Sequence, residues 1–163
     1  MRSSRGPAFR WPAAAALLLA VPAPLRAQFD EETLARYRLT EATLAKFTQA
    51  ARSIVALTQT DSTLRTEEDE DEAESIAELA AMYDRHPSMR RAITGAGMTT
   101  REFVTFLLSM FQAAVGAWIV QQPQGSLDKL PPEIPRDNVR FYQQHERELQ
   151  KLTEEMKALG QAP

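Results

Sequence analysis

The stretch from Thr99 to Gln121, TTREFVTFLLSMFQAAVGAWIVQ, constrains the fold of this 163-residue chain more than any other. It opens with Thr99 and, three residues later, Glu102, the spacing of a capping box in which each side chain binds a free backbone amide of the first turn. No charged residue occurs between Phe103 and Val120. The sequence therefore predicts one long apolar helix over about residues 99–121.

Such a helix either crosses a membrane or forms the centre of a bundle. Its uncharged run would extend about 27 Å, slightly less than the ~30 Å hydrocarbon core of a bilayer. Thr105, Ser109, Gln112 and Gly116 follow one another at spacings of 4, 3 and 4, so they form a narrow polar stripe on one face. A helix that is apolar on every other side is typical of burial among other helices. We therefore expect an all-α, single-domain bundle of four to five helices around this central helix, with a membrane span as the alternative.

The first 27 residues have the proportions of a secretory signal peptide. Arg2, Arg5 and Arg10 supply a basic region, and a short apolar run over residues 11–22 follows it. Small residues at such a boundary favour cleavage, here after Ala27, which would leave residues 28–163 as the helical domain. The sequence thus predicts an exported protein, periplasmic or secreted, with no stable membrane insertion after cleavage.

The charge balance restricts the classes of partner, and the absence of cysteine restricts the covalent chemistry of the chain. The chain has 19 Lys and Arg against 22 Asp and Glu, and loss of residues 1–27 with their four arginines leaves 15 against 22, a formal charge of −7. An acidic domain argues against nucleic acid and anionic membrane surfaces as partners. The chain has no cysteine, so it has no disulfide, no lipoprotein anchor and no c-type haem, and its core alone must stabilise it.

Periodic apolar residues predict the helices around the central one. A helix is expected over about 30–58 with a break near Leu39–Thr40, and another continues through Ile76 and Tyr83 until His86-Pro87 ends it. A short helix then precedes Gly95 and Gly97, and the last helix covers about 137–159. An acidic loop is expected at about 59–74 and a proline-rich loop at about 123–135.

Polar residues on the central and the last helix are the candidates for a binding site. The six candidates are Thr105, Ser109, Gln112, Asn138, Tyr142 and His145. Asn138 and His145 interrupt an otherwise apolar seam of the last helix. Because an unpaired buried polar group costs roughly 1–3 kcal/mol, we expect the two sets to face each other in the core, with Tyr142 closing the network. They would then either hydrogen-bond directly or line a small cavity that binds a ligand.

No motif indicates catalysis or metal binding. The chain contains no HExxH, no Glu-x-x-His pair, no glycine-rich phosphate loop and no Gly-x-Ser-x-Gly elbow. The acidic run lacks the glycine that a calcium loop requires at its turn. We therefore expect no catalytic residue, no metal site and no cofactor. His145 is expected to be a hydrogen-bonded core residue, and the alternative is a ligand of b-type haem, held with a core methionine.

Short patterns along the chain carry a resemblance. The combination of His86-Pro87, GMTTREFV from Gly97 to Val104, and NVRF from Asn138 to Phe141 followed by His145 resembles a group of small secreted bacterial helical proteins with no assigned function. The resemblance covers roughly residues 40–152 and implies an extracytoplasmic helical domain. We therefore expect a non-enzymatic binding or interaction module whose partner is an unknown protein or a small apolar ligand. The alternative is a periplasmic carrier of haem or a small apolar ligand in the bundle core.

Overall fold

The computed structural model describes residues 31–60, 73 and 75–160. Within these ranges the chain forms six α-helices, one short 3₁₀ helix and no strand, so the expected all-α fold is confirmed, with six helices in place of the four to five expected. The helices are α1 (Glu31–Arg36), α2 (Glu41–Thr60), α3 (Ile76–Arg85), α4 (Pro87–Gly95), α5 (Thr100–Gln121) and α6 (Arg136–Gly160), and the 3₁₀ helix is Leu127–Lys129. The predicted signal peptide and nearly all of the predicted acidic loop lie outside the described residues.

The central helix α5 begins at its predicted cap. Oγ1 of Thr99 accepts a hydrogen bond from the Glu102 amide at 3.1 Å, and the Glu102 carboxylate accepts one from the Thr99 amide at 3.1 Å. This reciprocal pair satisfies two backbone donors that the first turn would otherwise leave free. α5 packs most extensively against α6 and α3, and it also touches α1, α2 and α4.

An aromatic cluster joins α2, α3 and α5 in the core. The ring of Phe47 on α2 lies 5.0 Å from that of Phe103 and 4.7 Å from that of Phe106, centroid to centroid. Tyr83 on α3 meets Phe103 edge to face at 5.3 Å. Aromatic pairs in such arrangements contribute about 0.5–1.5 kcal/mol each beyond the area that they bury. The cluster therefore fixes the N-terminal half of α5 against two neighbouring helices.

The composition of α5 also fits a membrane span, with a mean hydropathy of 1.9 in its most apolar window. In the bundle, 56% of that window is buried by the rest of the protein. A mostly buried core helix has this same composition, so length and hydropathy alone do not assign α5 to a bilayer. The exposed part of α5 includes Trp118, whose exposed fraction is 49%.

A close crossing of α5 and α6 explains the glycine in the middle of α5. A Cβ atom on Gly116 would lie 2.6 Å from Cγ2 of Val139 and 2.9 Å from Cγ2 of Ile134. Both distances are far inside van der Waals contact, so α6 and the segment before it occupy the space of a side chain. The predicted polar stripe of α5 therefore ends in a packing contact.

The remaining elements begin and end near their predicted positions. Residues 37–40 separate α1 from α2, where the sequence predicts a break. α3 ends before His86-Pro87, and Gly97 has a φ of 79°, which glycine tolerates after a helix. α6 begins directly after Pro135, so the proline-rich segment is a loop that contains a single 3₁₀ turn.

Candidate functional site

Asn138 joins α6 to the segment between α1 and α2. It lies in the first turn of α6 and is 1% exposed. Its Oδ1 accepts a hydrogen bond from the Leu39 amide at 3.0 Å, and its Nδ2 donates one to the Tyr37 carbonyl at 3.0 Å. A carboxamide suits this task because it carries a donor and an acceptor on one head group. The side chain thereby holds the backbone on both sides of Arg38.

His145 lies at the edge of the bundle between two carboxylates. Its Nε2 is 2.8 Å from Oε1 of Glu41, the first residue of α2, and its Nδ1 is 3.0 Å from Oε2 of Glu148 on α6. The ring also packs on Phe141 with 4.4 Å between centroids. An imidazolium donates to both carboxylates, whereas a neutral ring donates to only one. The His145 ring thus lies between Glu41 of α2 and Glu148 of α6, with one ring nitrogen close to each carboxylate.

The polar stripe of α5 is not hydrogen-bonded to Asn138 or His145, so the predicted direct network is wrong. Oγ1 of Thr105 donates to the Arg101 carbonyl of its own helix at 2.7 Å. Oγ of Ser109 and Oε1 of Gln112 are buried and have no hydrogen-bond partner among the described residues.

The reason for this separation is the position of α6 between two neighbours. Val139 packs on Gly116 of α5, whereas Asn138 binds the α1–α2 segment and His145 binds Glu41 of α2. Adjacent residues of α6 thus face different helices. Asn138 and His145 therefore bind the α1–α2 segment and α2, and neither is hydrogen-bonded to the stripe.

Tyr142 is a core residue one turn after Asn138. Burial raises the pKa of its phenol above the ordinary value of 10.0, and the charge of Glu146 adds to the shift in the same direction. A phenol with a raised pKa stays protonated and uncharged at neutral pH. Tyr142 therefore contributes buried area to the bundle and supplies no charge.

Three arginines from two distant parts of the chain line one cleft, which we call the arginine cleft. It has a volume of about 510 Å³, within the range of small-molecule sites, and lies between the α1–α2 segment, the proline-rich loop and the start of α6. Arg38 belongs to the segment that Asn138 holds, and Arg136 and Arg140 flank Asn138 on α6. Because positions 136 and 140 are four apart in a helix, they share one face.

The arginine cleft carries an excess of positive charge. Nη1 of Arg140 is 3.0 Å from Oδ1 of Asp137, and Nη1 of Arg136 is 3.4 Å from Oδ1 of Asp128. Both arginines are more than half exposed, and exposed ion pairs of this kind contribute at most about 1 kcal/mol. Within the part of the chain that the structure describes, the hydrogen bonds of Arg38 go to the neutral Ala35 and Tyr37 carbonyls. The charge of Arg38 is thus not balanced by a carboxylate there.

A second cleft of about 460 Å³ lies between α2 and α4. Its lining consists of Ser53, Ala56, Leu57, Ser88, Arg91 and Ala92. It contains one charged side chain and none of the six predicted candidates, and the arginine cleft contains none of them either. In the described ranges, no group of three or more histidine, aspartate or glutamate side chains is placed to hold a metal ion.

Comparison with known proteins assigns the chain to no family. No family model, curated protein or solved structure matches it. The geometry of the arginine cleft is thus the observation that bears most on function. In the sequence, the arginine cleft is indicated only by Arg136 and Arg140, which lie on either side of Asn138. No nearby residue pattern relates those two arginines to Arg38.

Proposed function

We propose that this chain is a non-enzymatic binding module whose ligand is an anion held in the arginine cleft. The observation that carries the proposal is the convergence of Arg38, Arg136 and Arg140 in a domain where acidic residues outnumber basic ones. A guanidinium group is planar and presents paired donors that match carboxylate and phosphate oxygens. Neighbouring positive charges repel one another, so an anion bound among them is favoured.

The contacts of Asn138 support this proposal because they order the site before a ligand arrives. They hold the backbone at Tyr37 and Leu39 and thereby limit where Arg38 can lie. A site that is already ordered loses less entropy when it binds. The two exposed ion pairs of Arg136 and Arg140 are weak enough for a ligand to replace them.

The lining of the arginine cleft supports binding without catalysis. It includes no serine, threonine, histidine, lysine or tyrosine side chain. The single carboxylate, that of Asp137, is paired with Arg140. A nucleophile within reach of a base is the usual requirement for covalent catalysis, and these residues do not supply one.

Titration with inorganic phosphate, followed by NMR chemical shifts, tests the site directly. We expect Arg38→Gln to weaken phosphate binding by about tenfold or more, because a hydrogen bond to a charged group is worth roughly 1.5–3 kcal/mol. Arg147→Gln is the matched control, since Arg147 is an exposed arginine of α6 outside the arginine cleft. The proposal fails if the unmodified protein does not bind phosphate or if both variants weaken binding equally.

Export is a separate part of the proposal. It is supported by the basic region and apolar run in residues 1–27, which lie outside the described residues. N-terminal sequencing of the protein recovered from the periplasm or medium should begin at Gln28 or close to it. Recovery of Met1 at the N-terminus would contradict export by signal cleavage.

A carrier of haem or a small apolar ligand in the bundle core is the second candidate. It is favoured by the buried Oγ of Ser109 and Oε1 of Gln112, which lack hydrogen-bond partners among the described residues. A ligand with a donor group could satisfy them. A visible absorption band of the purified protein, or of the protein mixed with haemin, would support this candidate, and colourless protein that leaves haemin unperturbed would exclude haem.

A further inference from the structure

The lining of the arginine cleft combines two kinds of chemistry. Arg38, Arg136 and Arg140 supply positive charge, and an apolar group that we call the proline-rich wall consists of Leu130, Pro131, Pro132, Ile134 and Pro135. We propose that the bound anion is amphipathic, with a carboxylate or phosphate head group at the arginines and an apolar body over the proline-rich wall. This inference rests on the proposed anion site.

The proline-rich wall offers hydrocarbon and few hydrogen-bond donors. Pro131, Pro132 and Pro135 have no amide hydrogen, so this stretch of backbone cannot donate to an anion at those positions. The rings present CH groups instead, on a backbone with fixed φ angles. Contact between such a wall and an apolar group removes apolar surface from water and therefore favours binding, whereas contact with a hydrated inorganic ion does not.

The wall is held in place from behind. Cγ2 of Ile134 and Cδ2 of Leu130 lie 2.9 Å and 3.7 Å from the position that a Cβ atom on Gly116 would take. These two side chains therefore pack closely on α5. The Ile134 amide also donates to the Pro131 carbonyl at 3.0 Å, which closes a turn in the loop. A wall that is already ordered can bind an apolar group at little entropic cost.

The size of the arginine cleft also exceeds that of a small ion. One water molecule takes about 30 Å³ in the liquid, so 510 Å³ corresponds to the space of roughly 17 waters. An inorganic phosphate fills a small part of that space. An alkyl or aryl group attached to the head group would fill more of it and would displace water from the prolines.

A series of linear alkyl phosphates tests this inference, with methyl, butyl and hexyl phosphate used below their micelle concentrations. We expect affinity to rise two- to fourfold per added methylene until the wall is covered. Arg38→Gln should weaken every member of the series by a similar factor. Pro132→Ser should reduce the gain per methylene, whereas Pro123→Ser, at an exposed proline outside the cleft, should leave that gain unchanged.

Each other outcome overturns a defined part of the account. If binding depends on Arg38 but the affinity is the same for methyl, butyl and hexyl phosphate, the amphipathic ligand is overturned and the anion site is retained. A gain per methylene that persists unchanged in Pro132→Ser overturns the assignment to this wall. No arginine-dependent binding of any member overturns the anion site itself. A parallel series of alkyl carboxylates shows whether the site prefers a carboxylate or a phosphate head group. Vesicles of phosphatidylglycerol show whether the protein binds a lipid surface, and binding to vesicles alone would overturn a free amphiphile as the ligand.

Discussion

Gly116 and Asn138 both help to set the position of α6. Gly116 lets α6 approach α5 so closely that no side chain fits between them. Asn138 joins α6 to the backbone of the α1–α2 segment. Gly116 acts because it has no side chain, and Asn138 acts because it hydrogen-bonds to the backbone on both sides of Arg38. Both therefore affect where the three arginines lie.

Gly116→Ala should lower the free energy of unfolding by about 1–3 kcal/mol, because the added methyl group would overlap Val139 and Ile134. Gly95→Ala is the control, since a Cβ atom at Gly95 meets no atom within 4 Å. We expect that control to be neutral or to stabilise by up to about 1 kcal/mol. Urea denaturation measures both. Equal stability of the two variants would mean that α5 and α6 can move apart at no cost.

Asn138→Leu should cost about 1–3 kcal/mol, because it leaves the Leu39 amide and the Tyr37 carbonyl without their partner. It should also weaken phosphate binding, since Arg38 is then less well positioned. Gln144→Leu, at an exposed position of the same helix, should change stability by no more than about 0.5 kcal/mol. If Asn138→Leu retains full phosphate affinity, Asn138 has no role in positioning Arg38.

At the scale of the elements, α5 was predictable because its signals are local. The Thr99 and Glu102 pair and the uncharged run specify a helix and its beginning without reference to the rest of the chain. The break before α2, the end of α3 at Pro87 and the start of α6 after Pro135 follow from local rules as well.

The arrangement of the helices was less predictable, because periodicity identifies a face and does not identify its neighbour. The sequence correctly identifies Asn138 as a polar residue that needs a partner, but its contact is with the Leu39 amide and the Tyr37 carbonyl, 99 and 101 positions away, and not with Ser109 or Gln112. The arginine cleft depends on this same distant contact. Only the spacing of Arg136 and Arg140 signals it locally.

The buried and the exposed parts of α5 should differ in what they contribute to stability. Leu108 is buried, and Leu108→Ala should cost about 2–5 kcal/mol through the cavity that it leaves. Trp118 is about half exposed, and Trp118→Ala should cost no more than about 1 kcal/mol. Both variants should remain soluble without detergent. Similar losses in the two variants, or recovery of the mature protein only with membranes, would contradict the bundle and favour a membrane span.

At the scale of the whole molecule, burial affects every tyrosine. The chain has three, Tyr37, Tyr83 and Tyr142, and burial is the main cause that raises the pKa of each phenol above 10.0. A raised pKa in the folded state means that the protonated phenol is favoured by folding. This stabilisation is complete below pH 10.0 and is lost as the pH rises through the folded-state pKa values.

The native protein should therefore form tyrosinate at higher pH than the urea-denatured protein, and it should lose stability at alkaline pH. Ultraviolet absorbance followed against pH measures the first effect, and urea denaturation at several alkaline pH values measures the second. Tyr83→Phe should remove one of the three delayed ionisations and reduce the alkaline loss. Native and denatured curves that coincide would show that the phenols are not buried.

The arginine cleft concentrates positive charge in a molecule whose net charge is negative. Acidic residues outnumber basic ones along the chain, yet three arginines and one proline-rich wall meet between α1, the loop and α6. Charges at the surface are screened by salt, so anion binding there should weaken as ionic strength rises. The apolar contribution of the wall should be less sensitive to salt. The two contributions are therefore separable in a salt series.

A crystal structure of the protein with hexyl phosphate bound is the most direct test of this account. We expect phosphate oxygens within hydrogen-bond distance of Arg38 and of Arg136 or Arg140, and the alkyl chain over Pro131 and Pro132. Asn138 should retain its bonds to the Tyr37 carbonyl and the Leu39 amide. A ligand bound outside the arginine cleft, or an Arg38 side chain that points away from the phosphate, would contradict the account.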